Sequence, residues 1–171
     1  MEANQVKLSL IALLLCFSSF CFGGNLGKGK EDTQHLFDSV LPFAGKMLAE
    51  YGEFYPYGAA ITLTGEVVDV SVFEGSEYPP SSEIIDLLNS AFLKAAENRQ
   101  YSTTAVVYDV RIMLPSGKAS DAIAVNLDHN SGYSIVVYLP YKKVNQAIEY
   151  GELSVQEGRG AIFNKVRDMC V

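Results

Sequence analysis

Asp109 and Arg111 stand two residues apart in the run 104–114, whose alternation of Val106, Tyr108, Val110 and Ile112 with Ala105, Val107, Asp109 and Arg111 reads as a β-strand. Alternate residues of a strand point the same way, so the carboxylate and the guanidinium share a side. Arg111 there could hold an anion or carboxylate. The plainer reading is a surface ion pair contributing about 0–1 kcal/mol. Asp128-His129 invites a metal or acid–base reading, but adjacent strand residues face opposite ways and cannot chelate one ion without a bulge. His35 is the one other histidine, and Cys170 has no histidine beside it. The chain has no Gly-x-Ser-x-Gly elbow. Gly158-Arg159-Gly160 lacks the strand-then-helix setting of a phosphate loop. Asp109 and Asp128 could meet on one face as paired carboxylates. No catalytic residue, metal ligand or cofactor motif is assigned from these residues.

The most unusual local composition is Tyr51-Gly52-Glu53-Phe54-Tyr55-Pro56-Tyr57. Tyr51, Phe54, Tyr55 and Tyr57 could form a recognition rim, because aromatic side chains give large contact area at low entropic cost. The competing reading is a loop tucked over the end of the core. Together with Asp109, Arg111 and Tyr138 they make up the candidate binding residues.

Several elements must position these groups. Leu36, Phe37, Val40, Leu41, Ala44, Met47, Leu48 and Tyr51 recur at helical spacing from Thr33 to Tyr51. Pro42 inside that pattern predicts a kink or two stacked segments, and Gly52 a stop. Two strands, 59–63 and 66–73, flank a Thr64-Gly65 hairpin signal. A second helix follows Pro79-Pro80, capped by Ser81 or Ser82, with Ile84, Ile85, Leu88, Ala91, Phe92 and Ala95 as its apolar stripe. Strands over 104–114, 121–129 and 133–139 come next, and a weaker one over 148–155.

Turn length fixes which faces agree. A two-residue Ser116-Gly117 turn pairs Val110 with Ile123 and Tyr108 with Val125, placing both apolar sets on one face. A three-residue Asn130-Ser131-Gly132 loop brings Tyr133, Ile135, Val137 and Leu139 to that face too. The opposite face then carries Asp109, Arg111, Ala122, Ala124, Asn126, Asp128, Ser134, Val136 and Tyr138. The order α-β-β-α-β-β-β(-β) predicts an α+β domain: an antiparallel sheet with two main helices packed on one face.

Residues 8–22 are almost continuously apolar, and Gly23-Gly24 follow. That run has the length of a signal-peptide core, with cleavage expected after Gly23, a linker over 24–32 and one domain over 33–171. The chain is therefore expected to be exported, periplasmic or extracellular. A lipid anchor on Cys16 or Cys21, or an uncleaved anchor, is the alternative. Removing residues 1–23 takes one acid and one base, leaving the net charge of -7 unchanged. An acidic chain is repelled by a phosphate backbone, which argues against nucleic acid as a partner. With Cys170 alone after the export segment, no disulfide within the mature chain is expected, and the core must carry the stability.

The runs 49–58 and 120–125, and Gly132-Tyr133-Ser134 leading to Pro140-Tyr141, resemble a small uncharacterised bacterial α+β family, over roughly residues 36–158. Such proteins are similar in size and layout to immunity and toxin-associated proteins. The resemblance implies no catalytic residues. Its members mostly look cytosolic, and the export segment here departs from that. Two functions follow as expectations: a non-enzymatic exported module that binds another protein, immunity-like, through the aromatic turn or the open sheet face, or a small-ligand binder or hydrolase using Asp109, Arg111 and Tyr138.

Overall fold

The computed structural model describes residues 22–72, 75, 79–144 and 147–169. Its elements run α1 (Phe22–Tyr51), β1 (Tyr57–Thr62), β2 (Val67–Val70), α2 (Ser81–Glu97), β3 (Tyr101–Met113), β4 (Ala119–His129), β5 (Ser134–Val144), β6 (Ala147–Tyr150), β7 (Ser154–Glu157) and α3 (Phe163–Met169). The expected α+β class and antiparallel order are both present. Neighbours in the sheet run β2-β1-β3-β4-β5-β6, with β7 also on β5, and every pairing is antiparallel. The apolar run 8–21 and Cys170 lie outside the described residues, as does the expected end of the second strand at Phe73. Among the described residues, no helix is long and apolar enough to cross a membrane.

α1 buries Leu36, Phe37, Val40, Ala44 and Leu48 on one stripe. It continues through Pro42 without dividing: Pro42 is exposed, so the carbonyl left free four residues back at Asp38 is on the solvent side. Gly52, at φ 81°, ends it as expected, its N–H reaching the Leu48 carbonyl at 3.0 Å. The stretch 24–32, expected as a linker, is helical. Its glycines argue against a helix, but Lys28 pairs with Asp32 at 2.9 Å and Thr33 Oγ1 donates to the Gly29 carbonyl at 2.8 Å. α2 starts after Pro80 with no side-chain cap, so neither Ser81 nor Ser82 caps it. Its buried stripe is Ile84, Leu88, Phe92, Ala95 and Ala96, whereas Ala91 is exposed.

The β3–β4 register corrects the expected face. Val110 pairs with Ala122 and Val107 with Val125, one residue away from the expected pairing. The turn holds three residues, Pro115-Ser116-Gly117: Leu114 accepts from Gly117 N–H at 2.8 Å and donates to the Lys118 carbonyl at 2.8 Å. A one-residue change in a hairpin turns a strand's other face to its partner. Ala105 and Val107 therefore join Ile123, Val125, Leu127, Val137 and Leu139 beneath α1. Val106 turns away and packs with Ala60, Leu88, Phe92, Ile162 and Phe163. The two main helices consequently cover opposite faces instead of one, α1 on one side and α2 with α3 on the other.

The weak final strand is two short pieces on one edge. From Tyr141↔Tyr150 to Tyr138↔Ser154, β5 advances three residues while its partner advances four, the count of a β-bulge. Beyond β7, the strap 158–162 turns back across the ends of β5 and β4 into α3. Gly158 N–H bonds the Ser134 carbonyl at 2.9 Å, and Gly160 N–H bonds Ser134 Oγ at 3.0 Å.

Candidate functional site

The rows of β3, β4 and β5 facing α2 build a groove. Along β4, the small Ala122 and Ala124 give way to Asn126 and Asp128. Tyr108, Ala124 and Tyr138 form one cross-strand row, Val106, Asn126 and Val136 the next, and Thr104, Asp128 and Ser134 the one after. α2 covers only the β1–β3 side of this face, and the strap 158–162 bounds the other end. Between them lies a cavity of about 480 Å³, within the range that holds small molecules.

Asp128 is a buried carboxylate there, 7% exposed. Its Oδ2 accepts the Ile162 N–H at 2.8 Å, tying the strap to the sheet at the start of α3. Its Oδ1 is buried and has no hydrogen-bond partner among the described residues. Burial pushes the Asp128 carboxyl above the ordinary carboxylate value, against the backbone N–H groups of Ile162, Phe163 and His129 and the nearby Arg167 charge, which favour ionisation. Tyr108 Oη approaches Asn126 Oδ1 at 3.4 Å, and burial raises the Tyr108 hydroxyl pKa. Among the described residues, no histidine or cysteine lines the cavity.

Of the expected site residues, Arg111 and Tyr138 both border a second hollow, beside Met113, Pro140 and Leu153, and the rest separate. Tyr138 lines the groove, but Asp109 and Arg111 point to the α1 side, because the longer Pro115-Ser116-Gly117 loop reverses the parity of β3 against β4. Tyr141 Oη donates to Asp109 Oδ1 at 3.0 Å, and Arg111 pairs with Asp121 at 2.9 Å on an exposed surface. Asp109 and Asp128 therefore lie on opposite faces and cannot act as paired carboxylates. The aromatic turn divides as well. Phe54 is buried in the α1 core, and Tyr57 is half-buried with its hydroxyl donating to the Val40 carbonyl at 2.7 Å. Tyr51 and Tyr55 stand 68% and 53% exposed.

Sequence reasoning did place Asn126, Asp128, Ser134, Val136 and Tyr138 together, since the Asn130-Ser131-Gly132 loop has its expected length. It missed Tyr108, Thr104 and the strap. The three hairpins whose loops lie wholly among the described residues each use a loop ending in Ser-Gly or Thr-Gly: Leu63-Thr64-Gly65, Pro115-Ser116-Gly117 and Asn130-Ser131-Gly132, with glycine φ of 91°, 78° and 93°. Reading Ser116-Gly117 like Ser131-Gly132 would have found Tyr108.

Asp128 and His129 face opposite ways, as adjacent strand residues must. His129 closes β4 on the α1 side, 2% exposed. Among the described residues, no group of three or more His, Cys, Asp and Glu could hold a metal ion. Compared with known proteins, the chain matches no family model, and no curated protein or solved structure matches it at a significant level.

Proposed function

We propose that this protein binds a small polar molecule in the groove between α2 and the strap, with Tyr108 and Tyr138 as walls and Asn126 and Asp128 as the polar floor. The observation that carries the reading is Asp128 Oδ1, a buried acceptor without a donor beside a cavity of about 480 Å³. Leaving such a group unsatisfied costs about 1–3 kcal/mol, which a bound donor would recover. The reading stops at binding: Asp128 commits its other oxygen to Ile162, and among the described residues no histidine or cysteine lines the cavity. Amide NMR during titration with small polar compounds tests it. Saturable shifts confined to Tyr108, Asn126, Asp128, Tyr138 and the strap are expected, and a groove silent to every compound class sinks the reading.

A second reading, an exported module that binds another protein and is immunity-like, draws support from the exposed rings of Tyr51 and Tyr55. A stoichiometric partner that the Tyr51→Ser/Tyr55→Ser double variant fails to retain would support it. Repeated recovery without any partner would oppose it. Export itself is tested by intact mass. Loss of residues 1–23 is expected, which would leave Lys28, Gly29, Asp32 and Thr33 in place to anchor α1.

A further inference from the structure

Resting on the groove reading, we infer that the ligand class is an uncharged saccharide, held as a pyranose ring against Tyr108 and Tyr138 and beside Asn126. Three independent features of the groove converge on this class.

The first is shape. Tyr108 and Tyr138 lie in one row on β3 and β5 with β4 between them, so their backbones are separated by two strand spacings, about 10 Å. Ala124 between them is fully buried and does not line the cavity, so the two rings stand at one end of the cavity, beside Asn126, Val106 and Val136. Two aromatic side chains bordering a cavity of about 480 Å³ offer flat apolar surfaces to a ring, and the C–H faces of a pyranose suit such surfaces.

The second is hydrogen-bonding character. Asn126 on the floor, Asn89 on α2 and Gln156 on β7 line the cavity with carboxamides. Each both donates and accepts. Hydroxyl groups are the ligand groups that answer in both senses. Asp128 Oδ1 adds an acceptor that lacks a donor.

The third is charge balance. Asp128, Glu157 and Arg159 all line the cavity, and the Arg167 charge also acts on Asp128. A cation would meet the guanidinium groups and an anion the carboxylates. A neutral ligand meets neither penalty and can use all of these groups as hydrogen-bond partners.

The experiment uses the full chain, observed by amide NMR and, since the protein has 10 Tyr and no Trp, by tyrosine fluorescence. Glucose, N-acetylglucosamine and their β-1,4-linked disaccharides are compared with phenethylamine as a cation and benzoate as an anion. Saturable shifts at Tyr108, Asn126 and Tyr138 with a saccharide are expected. Asp128→Asn, which keeps an oxygen for the Ile162 N–H, should weaken that binding about tenfold or more, as should Tyr138→Ala. Thermal melts of both variants verify folding, and a folded variant with unchanged saccharide affinity overturns the inference. Groove binding by phenethylamine or benzoate in preference to every saccharide overturns it too, yet leaves the small-ligand reading standing. No shift in the groove with any probe removes both.

Discussion

His129 Nε2, at the end of β4, lies 3.2 Å from Asp32 Oδ2 on α1, while Nδ1 lies 2.9 Å from the backbone N–H of Ser131. The backbone N–H can only donate, so Nδ1 is an acceptor and the neutral ring carries its proton on Nε2, donating to Asp32. Ser131 Oγ, 2.7 Å from Nδ1, completes the cluster. A single neutral imidazole thus ties the first third of α1 to the β4–β5 hairpin.

Protonating that imidazole would set a second N–H against the Ser131 N–H. Burial acts in the same direction, holding the folded pKa of His129 below its ordinary 6.5, although the Asp32 carboxylate opposes the shift. In the interval below 6.5 the unfolded chain binds a proton that the folded chain does not. The His129 contribution is therefore complete above that value and is lost as pH falls toward the folded midpoint. Urea midpoints measured downward from neutral pH should decline over that window, and His129→Gln should flatten the slope. Asp32→Ala, which strands a buried N–H, is expected to cost about 1–3 kcal/mol, and Asp32→Asn less. An unchanged slope in His129→Gln would show that the imidazole is not the titrating anchor.

The two apolar clusters lie on opposite sides of the sheet, which makes their energetics separable. Ile123 belongs to the α1 core and Ile84 to the α2 core. Ile123→Val and Ile84→Val should each cost about 0.5–1.5 kcal/mol. Their double variant should sum to within about 0.5 kcal/mol. Ile123 and Leu139 are direct cross-strand partners on one face, so Ile123→Val with Leu139→Ala should deviate from the sum. Chemical denaturation of the six proteins, wild type included, measures both. Strong coupling between positions 123 and 84 would contradict two cores.

Much of this architecture is legible in the chain, and the parts that are not fail for identifiable reasons. The helix over Thr33–Tyr51 and its stop at Gly52 follow from apolar spacing and a glycine with φ 81°. The sheet's second buried face was also written in the sequence, in the unbroken apolar runs Ala105-Val106-Val107 and Ala122-Ile123-Ala124-Val125. Strands covered on both sides lose alternation. Reading alternation into those runs assigned Val106 to the wrong core and Asp109 and Arg111 to the groove. The helical 24–32 segment was not legible locally, because its glycine-rich composition opposes a helix. Beside the local Lys28–Asp32 pair, it is tied down by the Asp32–His129 contact, between residues 97 apart. The strap was hidden for the same reason: its anchor, Asp128 to Ile162, spans 34 residues.

Loop length is the feature on which the groove depends. Gly117 has φ 78° and no atom near where a Cβ would project, so Gly117→Ala should cost only the left-handed backbone penalty, about 1–2 kcal/mol. Deleting Pro115 is a different perturbation. A two-residue turn would either turn the Tyr108 face of β3 toward the α1 core or force a compensating bulge. The deletion should therefore cost far more than Gly117→Ala in thermal melts. A deletion variant as stable as Gly117→Ala would mean that the turn does not set the register.

Tyr141 and Asp109, far from the groove, give a second pH signature of opposite sign. Burial raises the Asp109 carboxyl above its ordinary 3.8, and the hydrogen bond from Tyr141 pulls it partly back. Burial and the Asp109 charge raise the Tyr141 hydroxyl in turn. A carboxyl whose folded pKa is raised contributes most at low pH, and that share is lost as pH rises through its folded midpoint. Tyr141→Phe removes the donor, so the Asp109 midpoint should move further up and the loss should deepen. The variant should be less stable than wild type at neutral pH, with the gap narrowing in acid as Asp109 takes up its proton. Carbon-detected NMR titration of the Asp109 carboxyl, with urea midpoints at matched pH, measures both quantities. Arg111→Ala serves as the contrast: its pair with Asp121 is exposed, so about 0–1 kcal/mol is expected and the Asp109 midpoint should scarcely move. An Asp109 midpoint that stays put in Tyr141→Phe would show that the hydroxyl does not hold the carboxylate.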